Sequence, residues 1–159
     1  MTGVKRNKIR VFLIDDHPTV RAGVRLYLTT HSLAVVGEAS DAPEALRKVK
    51  KLVPDVIVLD INLPSMNGWE LARRLRQVVP KAKILAFSIH SSEEYVLRMA
   101  RCGAQGYVVK DQPTAVLLAA IKQVAQGGVH FPAGMTGALL HPAEVFPRKM
   151  RGSEYETHS

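Results

Sequence analysis

The sequence predicts an α/β fold: a flavodoxin-like, doubly wound, five-stranded parallel sheet, (βα)5 in chain order. Three observations predict it. Short runs rich in Val, Ile and Leu recur five times, a segment with apolar residues at helical spacing follows each run, and turn residues stand between them. Parallel strands need a long crossover, which an α-helix supplies. Right-handed crossovers leave few topologies, and the flavodoxin-like order is the natural one for five strands.

The elements follow in order. Residues 9–14 form a short, buried, β-rich run, and Pro18 stands where a helix can begin. Val20, Val24, Leu26 and Leu28 supply that helix with an apolar face. Residues 33–36 are the second strand. Asp41 then reads as an N-cap, with Glu44 three residues on completing a capping box. Ala45, Leu46, Val49 and Leu52 fall at helical spacing until Pro54 stops the helix. Residues 56–59 are Val-Ile-Val-Leu, the composition of a central parallel strand. Asn67 caps a helix to about Val79, with Leu71, Leu75 and Val78 inward. Residues 84–87 are strand four, and Ser91 or Ser92 caps a helix holding Tyr95, Val96 and Met99. Gly103 and Gly106 bracket a turn into strand five at 107–109. Pro113 lies near the start of a last helix that stops at Gly127 and Gly128.

The domain is expected to span residues 9–128, with 129–159 a linker or tail. Residues 130–159 hold three prolines, three glycines and no sustained periodicity, apart from a possible helical turn at 135–140. The chain of 159 residues is 47% apolar, enough for a core, and 23% charged. Its net charge is +8, scattered in clusters at 5–10, 47–51, 73–76 and 148–151 with no continuous basic helix. These read as solvated faces, so direct DNA binding by this chain is not expected. Cys102 is the single cysteine, so there is no internal disulfide and no zinc motif. No apolar run approaches the roughly 20 residues of a membrane span, and no signal-peptide core follows the basic start. The expectation is a soluble, cytoplasmic protein.

Ligands in such folds bind where the strands end. Strand one ends at Asp15 and Asp16, strand three at Asp60, strand four at Ser88 and strand five at Lys110. The topology brings all of them to one rim. Crowded carboxylates repel one another and call for a cation, and hard oxygen ligands suit Mg²⁺. Lys110 and the Ser88 hydroxyl complete a site for a phosphoryl group, with a carboxylate as nucleophile. Taken singly, each residue has a plainer reading: Asp15 and Asp16 as a helix cap, Asp60 as a turn residue, Lys110 and Asp111 as a surface pair. Joint placement at successive strand ends favours the site. His17 and His90 lie by the same rim, and His90 is placed to tune water access. Trp69 reads as packing close enough to Asp60 to report on it.

Residues 11–18 read Val-Phe-Leu-Ile-Asp-Asp-His-Pro, 56–68 read Val-Ile-Val-Leu-Asp-Ile-Asn-Leu-Pro-Ser-Met-Asn-Gly, and 103–110 read Gly-Ala-Gln-Gly-Tyr-Val-Val-Lys. This ordered set strongly resembles the receiver domain of two-component response regulators, over about residues 9–128. The Asp-Asp-His-Pro opening and the Lys110-Asp111 ending look most like the NarL/FixJ branch, whose members usually carry a LuxR-type helix-turn-helix. The resemblance implies that Asp60 is the phosphorylated aspartate and that the donor is a phosphohistidine on a sensor kinase. It implies Asp16 and Asp60 as direct Mg²⁺ ligands, Asp15 acting through water, and Asn62 ligating through its backbone carbonyl. Ser88 matches the switch hydroxyl, Tyr107 the switch aromatic, and Lys110 the lysine that contacts the phosphoryl group. The implied molecule is a phosphoacceptor that assists its own phosphorylation and dephosphorylation, not an enzyme, with a partner or homodimer surface from residue 91 to 101, Tyr107 and the last helix.

Two departures stand out. Ile89 is bulky where receivers often have a small residue, and Asp111 replaces a common proline after the lysine. Residues 130–159 are too short for a LuxR-type output domain, which needs roughly 60 more residues, while the Gly-Gly-Val-His-Phe-Pro stretch at 127–132 resembles the usual interdomain linker. Control of transcription would then run through an output domain absent from this chain. Two other classes compete. An aspartyl-phosphate phosphatase would want an acid two residues after the nucleophile, where this chain has Asn62. A pseudo-receiver scaffold would typically lack an acidic residue or the lysine, and here the set is whole.

Overall fold

The computed structural model describes residues 8–135. Residues 136–140 of the possible extra turn and the basic cluster at 148–151 lie outside these residues.

Ten elements alternate: β1 (Arg10–Ile14), α1 (Pro18–Thr30), β2 (Ala34–Ala39), α2 (Ala42–Leu52), β3 (Val56–Leu59), α3 (Gly68–Val78), β4 (Lys83–Ser88), α4 (Glu93–Arg101), β5 (Gly106–Val109) and α5 (Thr114–Ala125). The five strands form one parallel sheet in the order β2-β1-β3-β4-β5, the doubly wound arrangement expected.

Period-two alternation divides each central strand between two cores. Phe12 and Ile14 of β1, with Ile57 and Leu59 of β3, face one cluster with Ala45 and Val49 of α2, Leu71 and Leu75 of α3, and Val96 and Met99 of α4. Val11 and Leu13, with Val56 and Val58, face the other, with Val24 and Leu28 of α1 and Leu117, Ile121 and Val124 of α5. Each fully buried Leu or Ile contributes roughly 1.5–3 kcal/mol relative to exposure.

The caps follow the local chemistry. Asp41 accepts from the Glu44 N–H at 3.0 Å. The reciprocal arm lands one residue earlier than a standard capping box, because Glu44 Oε1 accepts from the N–H of Ser40 at 3.0 Å. Asn67 accepts from the Glu70 N–H at 2.9 Å, and Ser92, not Ser91, accepts from the Tyr95 N–H at 3.4 Å. Pro54 bars Val53 from the right-handed helical region, and Val53 closes α2 with φ of 45°.

Three details differ from the sequence reading. Val20 and Leu26 of α1 point outward, Leu26 at 69% exposure, and only Val24 and Leu28, four residues apart, face the core. Val78 is only partly buried. Strand β2 runs on to Ala39, beyond the expected 36, because Gly37 lets the backbone lie against Phe12 and Leu52, whose atoms stand 2.8 and 2.7 Å from where a Cβ would sit. On this strand Glu38 pairs with Arg21 at 2.7 Å and with Arg25, both from α1, and Lys48 Nζ donates to the Glu38 carbonyl at 2.9 Å.

Candidate functional site

The strand ends gather the charged groups on one rim. Asp15 follows β1, and its N–H donates to Ala39 O at 3.1 Å; Asp60 follows β3, and its N–H donates to Ile14 O at 2.9 Å. The sheet's own ladder therefore holds the two residues on adjacent strands. Lys110 follows β5, and its N–H donates to Ser88 O at 2.8 Å.

Lys110 joins the two buried carboxylates: its Nζ lies 2.9 Å from Asp15 Oδ2 and 3.2 Å from Asp60 Oδ2. The other oxygen of Asp60 accepts from the Asn62 N–H at 3.0 Å, and that of Asp15 accepts from the His17 N–H at 2.9 Å. The His17 ring completes the group, with Nδ1 at 2.9 Å from Asp15 Oδ1, 3.1 Å from Asp16 Oδ1 and 3.8 Å from Asp60 Oδ2.

Burial by itself pushes the Asp15 carboxyl up, but its bonds to Lys110 and His17 outweigh this and hold it below the usual value. Burial dominates at Asp60, and its carboxyl is raised despite the Asn62 N–H and Lys110. Burial lowers Lys110, but its bond to Asp15 and the Asp60 charge more than compensate, so the ammonium is held protonated. Hydrogen bonding to Asp15, then the charge of Asp16, raises His17.

Ligand atoms from Asp15, Asp16, His17 and Asp60 all lie within 4.8 Å of one another. Asp16 Oδ1 is buried with no hydrogen-bond partner, its charge neighbour being the His17 ring at 3.1 Å. An orphaned carboxylate oxygen beside two further carboxylates fits a hard divalent cation.

Ser88 is fully buried, and its Oγ accepts from the His90 N–H at 3.1 Å. Tyr107 is 1% exposed, its hydroxyl donates to His90 O at 2.7 Å, and burial pushes its pKa up to about 12. The His90 ring stacks on Tyr95 at 4.3 Å, and its Nε2 lies 2.9 Å from Asn62 Nδ2. Ile89 is 68% exposed, so its bulk stands largely in solvent. Trp69 packs on the core edge with Arg98 4.7 Å over its ring. The structure thus brings Asp15, Asp16, Asp60 and Lys110 together, with Ser88 and Tyr107 joined to each other through His90. The bridge between Asn62 and His90 spans 28 residues and has no local signature.

Residues 11–122 match the family model of the response regulator receiver domain. The chain belongs to the response regulator receiver family. It is 41% identical over 138 residues to the transcriptional regulatory protein DegU of Brevibacillus brevis, covering 86% of this chain and 58% of that protein. It is 38% identical over 130 residues to the nitrate/nitrite response regulator protein NarL of Escherichia coli K12, covering 81% and 60%. The receiver therefore spans about three-fifths of these relatives' length. Among solved structures, a LuxR-family two-component response regulator from an Aurantimonas species superposes with a TM-score of 0.78 at 35% identity, over 86% of this chain and 98% of that one. The signal receiver domain of a NarL regulator from Mycobacterium tuberculosis gives 0.73 at 35%, over 77% and 99%. The likeness is thus to NarL- and DegU-type receivers of the LuxR family. No helix among the described residues is long and apolar enough to cross a membrane.

Proposed function

We propose that this receiver takes a phosphoryl group on Asp60 from a phosphohistidine of a sensor kinase, and so switches a surface that controls transcription. The observation that carries the reading is Lys110 bridging Asp15 and Asp60. An ammonium held between two buried carboxylates is already in place to neutralise a third anionic group.

In the reaction an Asp60 carboxylate oxygen attacks phosphorus. The phosphorus–nitrogen bond of the donor breaks, its electron pair stays on the donor imidazole, and an acyl phosphate remains on Asp60. Mg²⁺, held by Asp15, Asp16, Asp60 and the Asn62 backbone carbonyl, would neutralise phosphoryl oxygens when bound. Lys110 turns to the phosphoryl oxygens, and the Asn62 N–H keeps the Asp60 carboxylate in line. Ser88 exchanges its bond to the His90 N–H for one to the phosphoryl group, and Tyr107 follows through His90 O. The chain assists its own phosphorylation and dephosphorylation without turning over a separate substrate.

In this reading residues 9–128 are the receiver unit and 129–159 a linker or C-terminal tail. The protein works in the cytoplasm, pairs with a kinase and a second copy, and does not contact DNA through its receiver.

The test is intact mass after incubation with Mg²⁺ and acetyl phosphate. A Mg²⁺-dependent gain of one phosphoryl group, about 80 Da, absent in Asp60→Asn, is the expected result. No gain with acetyl phosphate, phosphoramidate or a phosphorylated kinase would sink the reading.

A further inference from the structure

His17 is fixed from both sides. Pro18 bars it from the right-handed helical region, and its backbone is extended, with φ of -102° and ψ of 103°. Its N–H donates to Asp15 Oδ1 at 2.9 Å. It stands at the N-cap of α1, yet its side chain makes no capping bond. The ring turns instead to the carboxylates, and Nδ1 lies 2.9 Å from Asp15 Oδ1, 3.1 Å from Asp16 Oδ1 and 3.8 Å from Asp60 Oδ2.

Lys110 and His17 divide the carboxylate oxygens between them. Lys110 takes Oδ2 of Asp15 and of Asp60. The His17 ring stands over Oδ1 of Asp15 and of Asp16, the second of which has no hydrogen-bond partner. Bonds of about 2.1 Å to a six-coordinate ion put neighbouring donor atoms about 3 Å apart. The separations of Nδ1 from those two oxygens, 2.9 and 3.1 Å, match that edge. The four donor atoms of Asp15, Asp16, His17 and Asp60 lie within 4.8 Å of one another, and one of them is a ring nitrogen. Carboxylates suit Mg²⁺, whereas imidazole suits transition ions such as Ni²⁺ and Zn²⁺. The His17 side chain is 60% exposed, so the ring can settle onto an ion without repacking the core.

We propose that His17 Nδ1 is a further ligand for a divalent transition ion at the carboxylate site, and that it sets which class of cation the site prefers. The role presupposes the reading that Asp15, Asp16 and Asp60 hold a cation. Mg²⁺ is held through oxygen alone, with the ring left aside. An ion of the Ni²⁺ type draws the ring in. The ligating ring is the tautomer with its proton on Nε2 and the Nδ1 lone pair facing the ion. The contact between Nδ1 and Asp15 Oδ1 is then exchanged for a bond from each atom to the ion.

Calorimetric titration of the full chain with NiCl₂ and, separately, with MgCl₂ tests this. His17→Ala, His17→Gln and Asp16→Asn are compared with wild type, and circular dichroism checks that each variant is folded. Both His17 variants are expected to weaken the Ni²⁺ site by at least about tenfold, the lower bound for losing even a partner of a metal ligand. Their Mg²⁺ affinity is expected to stay at the wild-type level, while Asp16→Asn weakens both ions. A tight Ni²⁺ site that survives the His17 variants, or survives Asp16→Asn, overturns the proposal, because that site lies on other groups. Equal losses for Ni²⁺ and Mg²⁺ also overturn it and leave the ring an organiser of the carboxylates. Tighter Mg²⁺ binding with unchanged Ni²⁺ binding overturns it in favour of a ring that only covers the site. Absence of Mg²⁺ binding in wild type counts against the Mg²⁺ reading of the acceptor site, and the Ni²⁺ comparison still decides the role of His17.

Discussion

Strand β3 is framed by two aspartates, Asp55 before it and Asp60 after it, and they have opposite fates. Asp55 is exposed and works as a staple. Its Oδ2 accepts from the Arg10 N–H at 2.8 Å, its own N–H donates to Arg10 O at 2.8 Å, and its carbonyl accepts from the Lys83 N–H at 2.9 Å. These three polar groups tie neighbouring strands together. Asp60 is 3% exposed and shares Lys110 with Asp15, beside the orphaned oxygen of Asp16. The same residue type stabilises one end of the strand and carries charge crowding at the other. What separates them is burial and the sign of their neighbours.

The largest expected difference is in phosphoryl acceptance. Asp60→Asn is expected to abolish the mass gain, while Asp55→Asn leaves it at the wild-type level. Denaturant melts of the same pair are expected to move oppositely. Asp60→Asn relieves repulsion and gains stability, whereas Asp55→Asn turns the charge-assisted bond from the Arg10 N–H into a neutral one and loses about 1 kcal/mol. Equal shifts of the same sign would break the contrast between the two ends.

Lys110→Ala sharpens it next. Removing the ammonium leaves Asp15 and Asp60 facing each other, and urea melts without divalent cations are expected to show a loss of about 2 kcal/mol. Added Mg²⁺ is expected to recover part of this, and no recovery would argue that the carboxylates do not hold a cation.

At the staple end, Val53 carries the strain. A β-branched residue at φ of 45° is costly, so Val53→Gly is expected to raise stability by about 1 kcal/mol with phosphorylation unchanged. A loss would mean that its side chain contributes more than its backbone costs.

The smallest effect concerns a third carboxylate, Glu44. Its bonds to Lys48 and the Ser40 N–H lower its pKa to about 2 from 4.5. A depressed carboxylate contributes stability that is present above pH 4.5 and lost as pH falls towards 2. Thermal melts of Glu44→Gln are expected to differ from wild type at pH 6 by a few degrees or less and to converge with it near pH 2. A gap that persists at pH 2 would place the effect in packing.

The contrast between Asp55 and Asp60 also shows what a sequence can reveal. Asp15, Asp16, Asp60, Ser88 and Lys110 were legible because strand ends follow from local pattern and topology sends them to one rim. Caps at Asp41 and Asn67 were legible because capping is a three-residue event. The outward turn of Val20 and Leu26 was not, since a short helix with apolar residues on two sides leaves the choice of face to its tertiary neighbours. The approach of the His17 ring to Asp60, the Asn62–His90 bridge and the return of His130 to β5 depend on distances between residues far apart in the chain, which no periodicity encodes.

Strand β2 is the sheet's other border, and its surroundings bear on how the molecule behaves in a crowd. Ala39 O turns to β1, where it accepts from the Asp15 N–H, so Glu38 O, one residue back, faces away. Lys48 occupies that carbonyl, Glu38 with its two arginines lays charge along the strand, and the pairing with β1 slips between Val11 and Phe12. An irregular, ion-laced border of this kind offers a poor template for a foreign strand. Concentrated solutions of this chain should therefore resist growing into fibrils from that side.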